Sequence, residues 1–207
     1  MNAPGDTSPD SLASDCPEAG PQLAGYPQWA DQVEGLSTRH DEPRPMSDPA
    51  DGSAGLPQLR TIADYQFGAG AGVALFPPDE PLTVKRTTSG RPQQVHADAG
   101  RIVSFGTDGR FTLGLEGGRR LAAALSHPAY RVVVDDESEP FVREEKNVFA
   151  KFVLEVGDEI RPGDEVLVVH ERGELLAVGT AQLDAGAIRD FETGMAVNVR
   201  EGAPAGT

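Results

Sequence analysis

The hydrophobic positions change period several times along the chain, and each change marks an element. In LRTIADYQFG, Leu59, Ile62, Ala63 and Phe67 recur at helical spacing and Gly68 follows as a cap, which predicts one amphipathic helix. After it, Leu82–Thr87, Gln93–Ala97, Arg101–Phe105 and Arg110–Leu115 are short runs rich in β-branched and aromatic residues. Ser89-Gly90-Arg91-Pro92, Asp98-Ala99-Gly100 and Thr107-Asp108-Gly109 separate them with turn chemistry, so the four runs predict antiparallel strands. Arg119–His127 predicts a second helix, ended by His127-Pro128. Helices flanking an antiparallel sheet make a small α+β domain over residues 57–128.

The pattern then turns to buried strands. Tyr130–Val134 is a continuous apolar run, Pro140 can start a short helix, and Val148–Val153 predicts a strand. A turn at Arg161-Pro162-Gly163-Asp164 leads to strands Glu165–His170 and Leu175–Ala181, joined by a hairpin turn at Glu171–Glu174. A helix around Asp184–Phe191 and a strand at Met195–Val199 complete a second domain, residues 129–203. Closing that many strands as a β-barrel removes their open edges. The fold class is therefore α+β, a small antiparallel domain followed by a barrel.

Residues 1–56 show no such periodicity. They hold ten acids against two bases, eight of the 17 prolines and none of the eight phenylalanines. Too little apolar surface is available there to offset chain entropy, so this stretch is predicted to be a disordered acidic tail. Trp29, near Tyr26, is its one large apolar anchor, a docking element or simply an exposed side chain.

Charge sharpens the picture. With 18 cations and 33 carboxylates the formal charge is −15, opposite in sign to most nucleic-acid modules. The tail accounts for −8 of it, and the remaining 151 residues, with 23 acids and 16 bases, for −7. Only Lys85, Lys146 and Lys151 are lysines, while the other 15 cations are arginines. An acidic, lysine-poor surface suits a salt-rich cytosol, where near-molar salt shortens the Debye length to roughly 3 Å and screens self-repulsion. The sole cysteine, Cys16, rules out an internal disulfide framework and a cysteine-based zinc site. No apolar run is long enough to span a membrane and the first residues do not resemble a signal peptide, which points to the cytoplasm.

The search for catalytic chemistry returns nothing. In the glycine-rich run from Gly68 to Gly72, the third glycine of G-x-G-x-x-G would fall at Val73, and no buried strand precedes it, so a helix cap running into a flexible link explains it better than a nucleotide site. His40, His96, His127 and His170 are scattered without metal-ligand spacing. Asp135-Asp136-Glu137-Ser138-Glu139 has the look of a solvated acidic loop, and no nucleophile motif is present. No catalytic residue, metal site or cofactor is expected.

What remains is a local exception to the composition. Arg143, Lys146 and Lys151 gather two of the three lysines around Asn147 and Phe149 at a predicted helix end. Such a group can contact phosphates, and glycines at Gly163 and Gly179 would let a nucleic-acid backbone approach. A charged helix face balanced by Glu144 and Glu145 explains the same residues equally well.

The segments RVVVDDESEPFVREEKNVFAKFV, RPGDEVLVVHERGELLAVGTAQL and GMAVNVREG resemble the PUA domain, the RNA-binding barrel named for pseudouridine synthases and archaeosine transglycosylases. NVFAKFV and GDEVLVV…LLAVG are similar to the C-terminal PUA of archaeal tRNA-guanine transglycosylase and archaeosine synthase. LRTIADYQFGAGAG, TTSGRPQQVHAD, which contains Arg91, and DGRFTLGLEGGRRL resemble the small domain before it. The catalytic barrel of those enzymes has no counterpart here. The resemblance thus implies a non-catalytic RNA-binding protein, with tRNA as its partner and an accessory role in archaeosine-type modification. PUA domains are expected to engage the acceptor stem and its 3′ end by shape and backbone contact, since helical RNA offers side chains little base readout. Related sequences usually carry a glycine between helix and strand, as in REGKNVF, and this chain has Glu145. Its carboxylate would hinder a phosphate backbone, and that motivates the alternative of a protein-interaction subunit docking on a tRNA-modification enzyme or ribosomal particle.

Overall fold

A computed structural model of the chain describes residues 55–204. The predicted tail lies outside the described residues up to residue 54, together with Tyr26 and Trp29. Leu56, assigned to the tail by its sequence, instead opens the first helix, α1 (Leu56–Phe67), with Pro57 in the first turn, where its missing N–H costs nothing. The buried side of α1 is Leu56, Leu59, Ala63 and Phe67, the predicted stripe extended by one turn, with Ile62 only partly buried at its margin.

The glycine-rich link is structured. Residues Ala71–Leu75 form a helical turn, α2, packed on α1. Gly72 lies against the Arg60 carbonyl so closely that a Cβ would stand 2.4 Å from its oxygen. Its N–H donates to Asp64 Oδ1 at 2.8 Å. The glycine therefore serves helix packing, neither flexibility nor phosphate binding.

Strands β1 (Thr83–Arg86), β2 (Pro92–Ala97), β3 (Gly100–Phe105) and β4 (Phe111–Leu113) form an antiparallel meander in chain order. α3 (Leu115–Ala124) starts four residues before its predicted place. Gly117 and Gly118 hid that first turn, because glycine weakens helix propensity. Both are packing residues: a Cβ would sit 2.2 Å from the Ile102 carbonyl oxygen at Gly117 and 2.4 Å from Val178 Cγ1 at Gly118.

The second sheet contains β5 (Arg131–Val134), β6 (Val148–Phe149), β7 (Val153–Val156), β8 (Glu165–His170), β9 (Leu175–Ala181) and β10 (Met195–Gly202), in the order β6-β10-β9-β8-β5-β7. Helix α4 (Glu139–Arg143) precedes β6, and α5 (Ala185–Asp190) precedes β10. All pairings are antiparallel except β5 with β8. The predicted strand Val148–Val153 is in fact two strands separated by a 3-10 turn, Ala150–Phe152. This break closes the fold. Strands β6 and β7 occupy opposite edges of the sheet, and a three-residue turn rising about 2 Å per residue must bring those edges together. The result is a nearly closed barrel, filled by residues such as Val132, Val148, Ile160, Val166, Leu176 and Val197.

The two regions share a core. Phe67, Phe76, Ile102 and Phe111 pack in one cluster with Val133, Leu167, Val169 and Val178 of the barrel wall. Buried Glu165 on β8 accepts from the Leu113 amide at 2.8 Å and from both Nη atoms of Arg200 at 2.7 Å. Arg131, also buried, donates to the Ala122, Leu125, Ser126 and Ala129 carbonyls, covering the end of α3.

Candidate nucleic-acid interface

Helix α4 carries the site and has an unusual exit. The Lys146 amide donates to the Phe141 carbonyl at 2.9 Å and the Glu145 amide to the Val142 carbonyl at 3.0 Å. This pair is a Schellman motif, whose turning residue is normally glycine. Here it is Glu145, with φ +63°. The backbone shape associated with glycine at this position is retained, but with a side chain on it.

Beyond this turn Lys146 is exposed and makes no ion pair with Glu144 or Glu145. Asn147 Oδ1 accepts from the Val199 amide at 3.1 Å, which fixes the loop to β10 where that strand bulges. Phe149 stands 46% exposed at the edge of the barrel. Lys151 is exposed, with its Nζ 4.6 Å from the centre of the Phe152 ring. Phe149 links the two lysines: it lines one hollow with Lys146 and Asn147 and another with Lys151.

The other sequence-selected residues lie elsewhere or face inward. The Arg143 side chain is largely buried, donating to Glu139 at 2.9 Å, Glu174 at 2.6 Å and the Ala203 carbonyl at 3.0 Å, so it anchors α4 to the end of β10. Gly163 is exposed in the turn before β8, with φ +88°. Gly179 is buried, and β10 fills the space beside it, the Asn198 carbonyl oxygen lying 2.5 Å from where a Cβ would be. Arg91 is exposed in the β1–β2 turn.

Folding adds residues that no sequence signal marked. A cleft of about 320 Å³ lies beside α4, bounded by Ser138, Phe141, Lys146, Asn147, Phe149 and Phe152. Phe141 is 60% exposed, while Ser138 is only 6% exposed and its Oγ has no hydrogen-bond partner. On the other side of Phe149 and Phe152 a second hollow of about 360 Å³ is lined by Lys151, Glu192, Thr193 and Gly194.

Helix α4 is held by an ion-pair network. Arg172, in the β8–β9 turn, bonds both Asp136 and Glu139, and Glu139 also accepts from Arg143. The hydrogen bond from Arg172 holds the Asp136 carboxyl below its usual range, and that from Arg143 does the same for Glu139. Asp136, His170 and Glu171 lie close enough to suggest a cation site. However, His170 Nδ1 accepts the Arg172 amide at 3.0 Å, so the proton sits on Nε2, 2.9 Å from Asp136. A ring in that tautomer has no lone pair to offer a metal on the Asp136 side.

The sequence model of the patch-forming domain C2 of tRNA-guanine transglycosylase matches residues 57–128, and that of the PUA domain matches residues 130–203. Residues 130–203 are a PUA domain. It is 46% identical over 145 residues to the tRNA-guanine(15) transglycosylase of Thermococcus kodakarensis, covering 70% of this chain and 24% of that one. The Methanocaldococcus jannaschii transglycosylase is 45% identical over 151 residues, with 70% and 22% covered. The chain therefore spans about a quarter of the length of the curated relatives it matches, and only their C2 and PUA regions. A PUA-domain protein of Thermoplasma acidophilum has the same fold, with TM-score 0.52 and 20% identity over 73% of this chain and 89% of that one. A hypothetical protein of Pyrococcus horikoshii also shares it, with TM-score 0.54 and 18% identity over 72% and 90%. No helix among the described residues is long and apolar enough to cross a membrane.

Proposed function

We propose that this PUA-domain protein binds tRNA without catalysing a reaction on it, as an accessory to tRNA modification, and that the α4–β6 face is its contact surface. The observation that carries this reading is that Lys146, Asn147 and Phe149 line one cleft and Lys151 lines a second hollow that shares Phe149 and Phe152 with it, in a chain with only three lysines. The likeness to the C2 and PUA regions of tRNA-guanine transglycosylases supports tRNA as the RNA. Over residues 57–128 there are eight bases and six acids, so the C2 region is weakly basic in an otherwise acidic chain and does not repel a polyanion. A docking role on a modification enzyme is the second reading, favoured by exposed Glu144 and Glu145 beside the cleft. Titration of labelled tRNA in about 2 M KCl, a salt level at which counterion release contributes little, separates the two. Binding by the wild type, weakened in a Lys146→Ala/Lys151→Ala variant, supports tRNA contact; no binding, or unchanged binding by the variant, overturns it.

A further inference from the structure

The solvent face of the first sheet is a polar surface that the α4–β6 site does not use. Strand register puts Lys85, Gln94, Ser104 and Thr112 in one row across β1 to β4. The neighbouring row, Val84, Val95, Val103 and Leu113, packs into the core, so alternation turns the first row outward. His96 and Arg101, paired between β2 and β3, join that face: His96 Nε2 lies 3.1 Å from Gln94 Oε1, and Arg101 donates to Ser104 Oγ at 2.9 Å. Burial pushes the His96 imidazole below its usual range, and the charges of Lys85 and Arg101 push it the same way, which marks a local excess of positive charge. Arginines such as Arg101, Arg110 and Arg200 are paired with Glu201, Asp164 and Glu165, whereas Lys85 and Arg91, both exposed, are in no ion pair among the described residues. Contacts also join this face to α4: Arg101 bonds Glu201 at 2.6 Å, and the adjacent Gly202 lies against the Arg143 carbonyl, where a Cβ would stand 2.2 Å from its oxygen.

We propose that this sheet face is a second RNA-contact surface that takes the sugar-phosphate backbone of a double-stranded segment, with Lys85 and Arg91 meeting phosphates and Gln94 and Thr112 meeting ribose 2′-hydroxyls. The inference rests on the RNA-binding reading and extends it from the barrel to the C2 region. Three strand spacings make the face about 15 Å wide, and the outward row holds amide and hydroxyl groups but no Phe, Tyr or Trp. Unpaired bases therefore find no ring to stack on. A-form RNA, in contrast, displays 2′-hydroxyls and phosphates across a wide, shallow minor groove, which a flat polar surface can follow. Charge favours the same choice. Residues 57–128 contain eight bases and six acids, against eight and 17 in residues 129–207, so a duplex meets less repulsion on the sheet than on the barrel. Dependence on the 2′-hydroxyl distinguishes this partner from an acidic protein drawn by the same cations.

Three ligands decide the matter with the full chain in about 0.1 M KCl: tRNA, a blunt RNA duplex of about 16 base pairs, and a DNA duplex of the same sequence. The RNA duplex is expected to bind, and the DNA duplex at least about tenfold more weakly. Lys85→Ala/Arg91→Ala should weaken the RNA duplex about tenfold and reduce the slope of log K against log salt by about 2, with the thermal transition unchanged. Lys85→Arg should bind as the wild type does, and Lys146→Ala/Lys151→Ala should leave duplex binding within about twofold while weakening tRNA. No binding of the RNA duplex, equal binding of the two duplexes, or duplex binding unaltered by Lys85→Ala/Arg91→Ala overturns the sheet contact while leaving tRNA binding through the α4–β6 face in place. Binding to neither tRNA nor the RNA duplex overturns the RNA reading and the sheet contact together.

Discussion

Glu145 occupies a backbone position that glycine fills without strain. A non-glycine residue in the left-handed region costs roughly 1–2 kcal/mol, and the retained Schellman hydrogen bonds show that the helix exit is not rearranged to avoid it. Glycine's greater freedom in the unfolded chain takes back part of the gain. Glu145→Gly should therefore stabilise the fold by about 1 kcal/mol, raising the thermal midpoint by about 2–4 °C in a melt followed by circular dichroism. It also removes a carboxylate next to Lys146, so tRNA should bind several-fold more tightly. A variant that gains stability without affinity would separate the strain from the electrostatic effect and remove the argument that Glu145 hinders RNA. Sequence alone exposed this residue, through the comparison with REGKNVF, but it could not show that the φ value survives the substitution. The same limit applies to Gly179. Read as an approach point for RNA backbone, it lies buried under β10 because strand-to-strand closeness leaves the same mark in a sequence as ligand closeness.

At the level of elements, legibility followed punctuation. The four strands of the first sheet were bounded by turns containing Gly90, Gly100 and Gly109, all at positive φ, and these strands fall where the pattern placed them. Where glycine works as a spacer inside an element, the pattern misleads, as in the first turn of α3 and in α2. Gly118→Ala tests which effect dominates. Helix propensity would favour alanine by about 1 kcal/mol, but its Cβ would meet Val178 Cγ1 at 2.4 Å in the core shared by C2 and PUA regions. Overpacking typically costs about 1–3 kcal/mol, so a net loss of stability is expected in chemical denaturation, and a gain would show that Val178 yields easily. The candidate site divides in the same way. Lys146, Asn147, Phe149 and Lys151 are near neighbours in sequence and could be read together, but Ser138 and Phe141 join them only through the α4 fold. The Arg172 network that holds α4 was invisible because its members lie some 30 residues apart. Its carboxylates titrate below their usual range, as does Glu80 through Arg120. A carboxyl with a depressed folded pKa contributes stability above its unfolded pKa of about 4, and this is lost as pH falls through the lower folded value. Stability should decline between about pH 5 and 3. Glu139→Gln should flatten part of that decline in pH-dependent melts, and an unchanged profile would mean that Glu139 makes no net contribution.

For the whole molecule the decisive quantity is where the charge of −15 resides. It divides into −8 over residues 1–56, with ten acids and two bases, +2 over residues 57–128, with six acids and eight bases, and −9 over residues 129–207, with 17 acids and eight bases. The barrel thus carries more negative charge than the region preceding it, although the proposed RNA face belongs to the barrel. Two kinds of electrostatic energy compete there. Ion pairs such as Arg120–Glu80 and Arg143–Glu174, both at 2.6 Å and with the arginine side chain largely buried, are local contacts that salt weakens only partly. Repulsion among the remaining carboxylates acts over longer distances, and the Debye length falls from roughly 10 Å at 0.1 M to 3 Å at 1 M salt. The long-range term is therefore screened first. Raising KCl from about 0.1 to 2 M should increase the thermal midpoint, most steeply at the low end where the Debye length changes most. Repeating the melt on residues 55–207 alone would apportion the effect: a gain that persists belongs to the two regions of residues 57–207, and one that disappears belongs to the acidic N-terminal residues. A midpoint that falls with salt would mean that the local pairs outweigh the repulsion, and would overturn the view of this acidic, arginine-biased surface as an adaptation to a concentrated ionic solvent.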